Sequence, residues 1–375
     1  MRQNVFVIGA TGNVGRELLR QIANHDVPEL NKHENPTVVV GLADSKHFAI
    51  REGGFSRDGL LDFVQTRKRV SEVMGSLEHS SAGISALPYI LGQLGYEEDL
   101  VFVDATSEKK GALDFHLHVI AQTRSKIAAA NKNPVGFFSY EDYKRLTADP
   151  TRYRYSATAM AGLGAVPWLS ERHTLGDRVH RIDASLSGTL GFITHKMSGG
   201  MRMSEAIRSA RENGYTEPDY RDDLNGLDVA RKLTILAREA GYPVELDNIE
   251  VRPFLPEPYF LIPDPEQCLF EIAAHLDDEM CRTVKEAEDR RCALRYLASL
   301  ELKDDESILC VGIQEVPLDS PFAQLDGTDN YIRVVTDMYT QQRSYRLRGP
   351  GAGLDITASV LRRDLVNLQP RVARF

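Results

Sequence analysis

The segment Asn4-Val5-Phe6-Val7-Ile8-Gly9-Ala10-Thr11-Gly12-Asn13-Val14-Gly15 decides the fold. Its apolar run Val5–Ile8 reads as a short strand, Asn4–Gly9, and the stretch Asn13–Asn24 reads as the helix that follows. Three glycines fall between and within them. Gly9 lets the chain turn tightly as it leaves the strand. Gly12 lacks the Cβ that would hold a pyrophosphate away from the backbone, and Gly15 lets the helix pack close to the sheet. A helix start also offers unpaired N–H groups to an anion. Strand, glycine turn and helix in that order predict a dinucleotide site at Gly9, Gly12, Asn13, Val14 and Gly15.

The same rhythm continues outward. Thr37–Leu42 is β-branched and uninterrupted, as a strand buried on both faces would be, and Leu100–Asp104 and Lys126–Ala130 repeat that character. Strands alternating with helices predict a doubly wound Rossmann-type parallel sheet over residues 1–150, with ligands at the carboxyl edge of its strands. Asp44 stands near the end of the second strand, where an acid would bind the ribose hydroxyls of NAD. Ser45 and Lys46 follow at once, and a hydroxyl with an ammonium suits the 2′-phosphate of NADP, so NADP is the expected cofactor with NAD possible. Thr106 and Ser107 end a later strand. They could line the nicotinamide ribose or simply cap the next helix.

Beyond residue 150 the pattern changes. Ser204–Gly241 is helical, punctuated by Gly214 and Pro218, and β character returns from about Leu294. The five prolines of Arg252–Pro265 read as an ordered loop. A last helix is expected over Ala358–Asn367, after the glycine-rich GPGAG. This predicts a dinucleotide-binding domain made of 1–150 and 349–375, and an α+β substrate-binding and dimerisation domain over 151–348.

Composition narrows the function. Of 375 residues, 42% are hydrophobic and 26% charged, and the formal net charge is −9. That balance argues against a nucleic-acid partner, which needs a basic surface to displace counterions. No apolar run approaches the roughly 18 residues of a membrane span. The four cysteines form no CxxC pair, and no secretory signal opens the chain. Free thiols in a cytoplasmic protein are the expectation.

Two segments carry chemistry. Lys132, within Ala130-Asn131-Lys132-Asn133-Pro134, follows a strand of the sheet and so points toward its ligand edge. The second segment, GYTEPDYRDDLNGLDVARKLTILARE from Gly214, places four acids and two bases between Glu217 and Lys232 and leads into a helix. Asp228 and Lys232 are four apart and share a helical face. As a surface ion pair they would contribute only about 0.3–0.5 kcal/mol. The acids near Pro218 could serve as helix-start complements. They exceed what capping one helix needs, however, and the turns after Lys232 are apolar, which places the pair beside a core or cleft.

This second segment resembles the signature of the homoserine dehydrogenase family, nearly unbroken. Other landmarks of the family follow in order: the glycine turn, the ANK lysine, SGTL at Ser187–Leu190, PFAQLDGTDN at Pro321–Asn330 and GPGAGLDITA at Gly349–Ala358. Together they span essentially the whole chain, and the acidic signature is the specific one. The resemblance implies an NAD(P)-dependent oxidoreductase of amino-acid biosynthesis, toward threonine and methionine, that interconverts aspartate 4-semialdehyde and homoserine, acts on a small molecule and forms a homodimer. Lys232 resembles the family's catalytic lysine, Lys132 a second lysine at the reacting carbon, and Asp228 the acid supporting Lys232. Glu217 and Asp223 match carboxylates that hold the substrate amino group, and Gly188 and Thr189 match substrate contacts. Gly349, Gly351 and Gly353 resemble the segment that returns over the nicotinamide. Two lysines at one site would repel, lowering at least one pKa toward the working range.

Some positions depart from the family. Ser156 stands where it has a glutamate belonging to a monovalent-cation site, which puts that site, at Ser156, Ala159 and Ala161, in doubt. Met160 replaces a glycine and adds bulk where the backbone nears nicotinamide or substrate, and Gly191 replaces a serine. These departures leave open a paralogue acting on another amino-acid semialdehyde. A non-catalytic NADP sensor would need none of the lysines and acids above. Aspartate semialdehyde dehydrogenase shares the glycine turn but requires a nucleophilic cysteine near the sheet edge. The first cysteine here is Cys268. A chain of 375 residues is also expected to leave no room for a fused aspartate kinase or a threonine-sensing domain.

Overall fold

The computed structural model describes residues 2–30, 36–78, 100–304 and 306–369, with Ile84, Leu87 and Gly92. The chain forms two compact units, one of residues 1–161 and 352–375 and the other of residues 162–351.

In the first unit β1 (Gln3–Ile8), β2 (Thr37–Ala43), β3 (His47–Ile50), β4 (Leu77–Glu78), β5 (Leu100–Asp104), β6 (Lys126–Ala129) and β7 (Tyr153–Arg154) form a sheet in the order β4-β3-β2-β1-β5-β6-β7. Strands β2, β1, β5, β6 and β7 run parallel. Their apolar residues join the helices Asn13–His25 and Leu354–Leu368 in one core, including Val5, Val7, Leu18, Ile22, Val103 and Leu361. The expectation of a parallel sheet holds for these strands, but β3 and β4 pair antiparallel at the edge. For β3 the reason is connection length: Asp44–Lys46 is too short for the crossover that parallel pairing to β2 requires. β4 returns beside β3 only after the helix Arg57–Gln65. β1 pairs with β2 on one side and β5 on the other, so the chain reverses its direction of travel across the sheet between β1 and β5, where folds of this kind bind ligands.

The boundary expected at 150/151 falls instead at Ala161/Gly162, because β7 extends the first sheet beside β6. Tyr153–Ser156, expected in a dimerisation region, therefore belongs to the first unit. The closing helix starts at Leu354, four residues earlier than its apolar pattern suggested. Its Asp364 is fully buried and accepts the Ser156 N–H at 2.9 Å. Burial pushes the pKa of this carboxyl above its ordinary 3.8, against the opposing hydrogen bonds from Ser156. Below about pH 4 both folded and unfolded states are protonated and its contribution to stability is complete; stability is then lost as pH rises through the folded-state pKa. Asp364→Asn is expected to melt above the wild type at about pH 7 and to match it near pH 4, which thermal melts across that interval check.

The second unit is α+β. Strands β8 (Val179–Ser185), β9 (Glu250–Val251), β10 (Cys292–Lys303), β11 (Glu306–Pro317), β12 (Asp329–Thr336) and β13 (Tyr345–Pro350) order as β13-β12-β8-β10-β11-β9, antiparallel except for β9 beside β11. Helices Gly188–Ser198, Leu227–Glu239 and Asp277–Asp289 pack against β10. The proline-rich stretch Arg252–Pro265 lies within this unit and contains the short helix Glu257–Phe260. The four cysteines are free thiols. No described helix is long and apolar enough to cross a membrane.

Candidate active site

The glycine turn of the first unit is shaped by backbone contacts. Gly9 has φ +81°, and a Cβ there would meet the Ala105 carbonyl oxygen at 2.8 Å. A Cβ on Gly15 would lie 2.2 Å from the Gly9 oxygen, so Gly15 admits the turn itself rather than the sheet. Gly12 is different. Its φ of −71° is ordinary, and its Cβ would meet only the Gly9 oxygen, at 3.3 Å. The space over Gly12 is thus left largely open by the protein, as a ligand cradle requires. No side chain caps the helix that starts at Asn13, and its first turn carries no acid. The N–H groups of Asn13, Val14 and Gly15 end there, suited to a pyrophosphate. Arg16, which sequence reasoning passed over, is buried and donates to the carbonyls of Thr11 (3.0 Å), Phe63 (2.9 Å) and Lys68 (2.7 Å). It ties the glycine turn to the next helix–loop segment. A charged residue one position after Gly15, in a helix otherwise apolar on that side, was the available signal.

Asp44 closes the turn between β2 and β3. Its Oδ1 accepts from the N–H groups of Lys46 (2.9 Å) and His47 (2.8 Å), and Oδ2 from Val70 N–H (3.3 Å). Ser45 and Lys46 stand exposed beside it. Thr106 does not cap the following helix. Its hydroxyl donates to Asp104 Oδ1 at 2.7 Å, and Glu108 instead accepts from the N–H groups of Gly111 and Ala112 at the helix start. Ser107 is exposed. Lys132 immediately precedes the short helix Asn133–Gly136 and is half-buried. Gly353, exposed at φ +139°, precedes the closing helix. Ser156 is buried, with Ala159 and Ala161 close by in sequence. Met160 is 3% exposed and sits at φ +48°, a left-handed conformation that costs a side-chain-bearing residue about 1–2 kcal/mol.

The second unit gathers the acidic signature. Gly226, at φ +77°, begins the helix Leu227–Glu239, and Tyr296 OH would lie 2.3 Å from any Cβ at that position. One turn along, Lys232 Nζ lies 2.8 Å from Asp228 Oδ2 and donates to the Leu186 carbonyl at 2.8 Å. Leu186 leads into Ser187, whose hydroxyl accepts from Leu190 N–H and starts the helix Gly188–Ser198. Thr189 Oγ1 donates to the Tyr215 carbonyl at 2.5 Å and reaches Asp223 Oδ1 at 3.5 Å. Asp223 Oδ2 accepts the Glu217 N–H at 2.8 Å. Burial first, and then the charges of Glu217 and Asp228, push the Asp223 carboxyl above its ordinary pKa. Three acids that repel one another and one ammonium therefore share a small region. Gly188 packs on Thr328 and Gly351 on Asn330, so the SGTL, DGTDN and GPGAG landmarks meet in this unit.

The structure thus brings together Gly188, Thr189, Glu217, Asp223, Asp228 and Lys232 in the second unit, while Lys132 accompanies the glycine turn in the first. The largest cavity described in the second unit, about 820 Å3, is lined by Met203, Leu227, Phe254, Leu276 and Met280 and contains neither Lys232 nor Asp223. A smaller, polar one of about 590 Å3 opens on Glu217 and Arg208.

Known proteins are similar to this chain in sequence and in fold. The homoserine dehydrogenase family model matches residues 166–366. A chloroplastic bifunctional aspartokinase/homoserine dehydrogenase of Daucus carota is 30% identical over 374 residues, covering 97% of this chain and 38% of that protein. The chain therefore spans well under half the length of that relative. A homoserine dehydrogenase of Emericella nidulans is 33% identical over 286 residues, 72% of this chain and 76% of that protein. Among solved structures, a Candida auris protein of unknown function matches with a TM-score of 0.81 at 26% identity over 98% of both chains. A hyperthermophilic archaeal homoserine dehydrogenase in complex with NADPH matches with a TM-score of 0.71 at 22% identity, over 98% of this chain and 97% of that one, which shows a common fold. With its acids, its lysine and its doubly wound sheet in these positions, the chain belongs to the homoserine dehydrogenase family.

Proposed function

We propose that the protein interconverts L-aspartate 4-semialdehyde and L-homoserine with NADP(H). The observation that carries this is the Lys232 ammonium, 2.8 Å from Asp228 and oriented by the Leu186 carbonyl, beside the acids Asp223 and Glu217. The substrate bears an ammonium, a carboxylate and an aldehyde. The paired charges of Asp223 and Glu217 favour the ammonium, and the N–H groups at the start of Gly188–Ser198 suit the carboxylate.

Nicotinamide supplies the hydride when bound, and the turn with an open face at Gly12 fits its pyrophosphate. As the aldehyde carbon gains hydride, negative charge grows on oxygen. Lys232 stabilises that charge and gives it a proton, yielding the alcohol, and Asp228 holds the ammonium in place. Lys132, at the carboxyl edge of the first unit's sheet, is assigned to the reaction as well. NADP is preferred over NAD because Ser45 and Lys46 are exposed while Asp44 is engaged in its own turn. The archaeal relative is bound to NADPH.

The family's cation position lacks its glutamate here, so a monovalent cation would find only the Ser156 hydroxyl and backbone carbonyls. Ser156 has a hydroxyl, and Ala159 and Ala161 have methyls. A cytoplasmic homodimer, with the second unit's sheet at the interface, completes the reading.

Steady-state oxidation of L-homoserine with each cofactor, in sodium and in potassium buffer, tests it. The expected result is turnover with kcat/KM at least about tenfold higher for NADP than for NAD, and indifference to the cation. Tight NADPH binding with no turnover would favour a sensor. The strained, buried Met160 favours one second reading, a substrate pocket reshaped for a related amino-acid semialdehyde. Higher kcat/KM on another member of a semialdehyde panel would establish it.

A further inference from the structure

A fully buried carboxylate lies beneath the carboxyl edge of the first sheet. Asp104, the last residue of β5, is 0% exposed. Its Oδ1 accepts from Thr106 N–H (2.9 Å) and Thr106 Oγ1 (2.7 Å), and its Oδ2 from Asn131 Nδ2 (3.0 Å). His116 Nε2, also fully buried, lies 3.1 Å from Oδ2. Behind it His116 Nδ1 is 2.8 Å from Tyr153 OH. Burial and the Asp104 charge push the Tyr153 pKa far up, so its hydroxyl keeps its proton beside Nδ1. Burial alone would favour the neutral acid, but the hydrogen bonds of His116 and Thr106 outweigh it and hold the Asp104 pKa below its ordinary value.

This carboxylate joins two loops. Asn131, besides binding Asp104, donates to the Glu108 carbonyl at 2.8 Å and accepts Asn133 N–H at 3.0 Å. Asn133 Nδ2 donates to the carbonyls of Ser107 (2.9 Å) and Glu108 (3.2 Å). Both asparagines are buried, at 2% and 4% exposure, and Lys132 between them is the residue of the three whose side chain is partly exposed. A lysine side chain has four rotatable bonds, so the ammonium can be placed reproducibly only if its backbone is held on both sides. Burying an ionised carboxylate costs several kcal/mol before its partners compensate, and an apolar residue would close a strand end more cheaply.

We propose that Asp104 is a positioning residue for Lys132, acting through Asn131 and Asn133. The proposal rests on the assignment of Lys132 to the reaction made above. Its test is a double-mutant cycle on the full chain, with kcat, NADPH affinity and melting temperature measured for Asp104→Asn, Lys132→Ala and the double variant. Asp104→Asn keeps the shape but presents a donor toward Asn131 Nδ2 and His116 Nε2. It is expected to lower kcat about 10–100-fold, the loss that a displacement near 1 Å produces, with NADPH affinity within about threefold of wild type. The double variant is expected to match Lys132→Ala within about threefold, since a residue already removed cannot be misplaced. Asn133→Ala, which removes the bonds to the Ser107 and Glu108 carbonyls, should show the same non-additivity with a smaller loss, and it serves should Asp104→Asn fail to fold. Losses that multiply in full onto Lys132→Ala, or wild-type turnover per folded molecule in both variants, would overturn the positioning role. Wild-type turnover in Lys132→Ala itself would instead overturn the assignment of Lys132, and the two failures are distinct.

Discussion

Lys232→Ala is expected to lower kcat for homoserine oxidation by about 10²–10⁴-fold while NADPH affinity changes little. The ammonium lies 2.8 Å from both Asp228 Oδ2 and the Leu186 carbonyl, and the Asp228 charge in turn acts on Asp223. Stability should barely respond. The pair with Asp228 is partly solvent-exposed, with Asp228 at 35% side-chain exposure, and such pairs contribute at most about 1 kcal/mol. Lys232→Arg separates the two tasks assigned to this residue. Arginine keeps the positive charge but does not give up its proton at accessible pH. If charge alone mattered, arginine would restore most of the rate. Proton transfer at Nζ, from the homoserine hydroxyl in oxidation and to the growing oxyanion in reduction, predicts that the Lys232→Arg variant stays within about tenfold of Lys232→Ala. Single-turnover hydride transfer, followed by nicotinamide absorbance, reads the step directly. A kcat within about threefold of wild type for Lys232→Ala would remove Lys232 from the chemistry.

Gly15→Ala is expected to damage both stability and cofactor binding. Its Cβ would be 2.2 Å from the Gly9 oxygen, 2.9 Å from the Gly9 carbonyl carbon and 3.0 Å from Ala10 Cα. All three are backbone atoms, so no flexible side chain can move aside. The turn must shift, at a cost of about 1–3 kcal/mol, and its donors leave their places. The contrasting variant is Gly12→Ala, whose Cβ meets only the Gly9 oxygen at 3.3 Å. It should fold with a smaller loss, about 1 kcal/mol from the poorer helix cap, yet fail to bind NADPH because the methyl occupies the cradle. Melting with and without NADPH tells them apart. Bound cofactor raises the wild-type melting temperature in proportion to its affinity, so that rise should vanish in Gly12→Ala from a near-normal baseline. In Gly15→Ala the baseline itself falls. Equal NADPH-induced shifts in wild type and Gly12→Ala would show that the cofactor does not approach this glycine.

Periodicity and punctuation alone were enough for the parallel strands β1, β2, β5 and β6, for the helix after the glycine turn and for the acidic helix carrying Asp228 and Lys232. Each depends on neighbours in the chain: apolar runs, glycines at a turn, and residues four apart on one helical face. The same local information made the Asp228–Lys232 contact legible, because helix geometry brings i and i+4 together. Tertiary structure decided what depends on residues far apart. β3 turned antiparallel to β2 because of a short connection, β4 then paired with it at the edge, and β7 joined the first sheet beyond the expected boundary. Arg16 found carbonyls about fifty residues away at Phe63 and Lys68. Asp104, His116, Asn131 and Tyr153 converged from separate segments. Their partners are set by how strands and helices pack, and local sequence does not contain that distance. It is the partial burial of Asp223 near the charges of Glu217 and Asp228, and the choice of Leu186 as acceptor for Lys232, that turns an acidic stretch of sequence into a site.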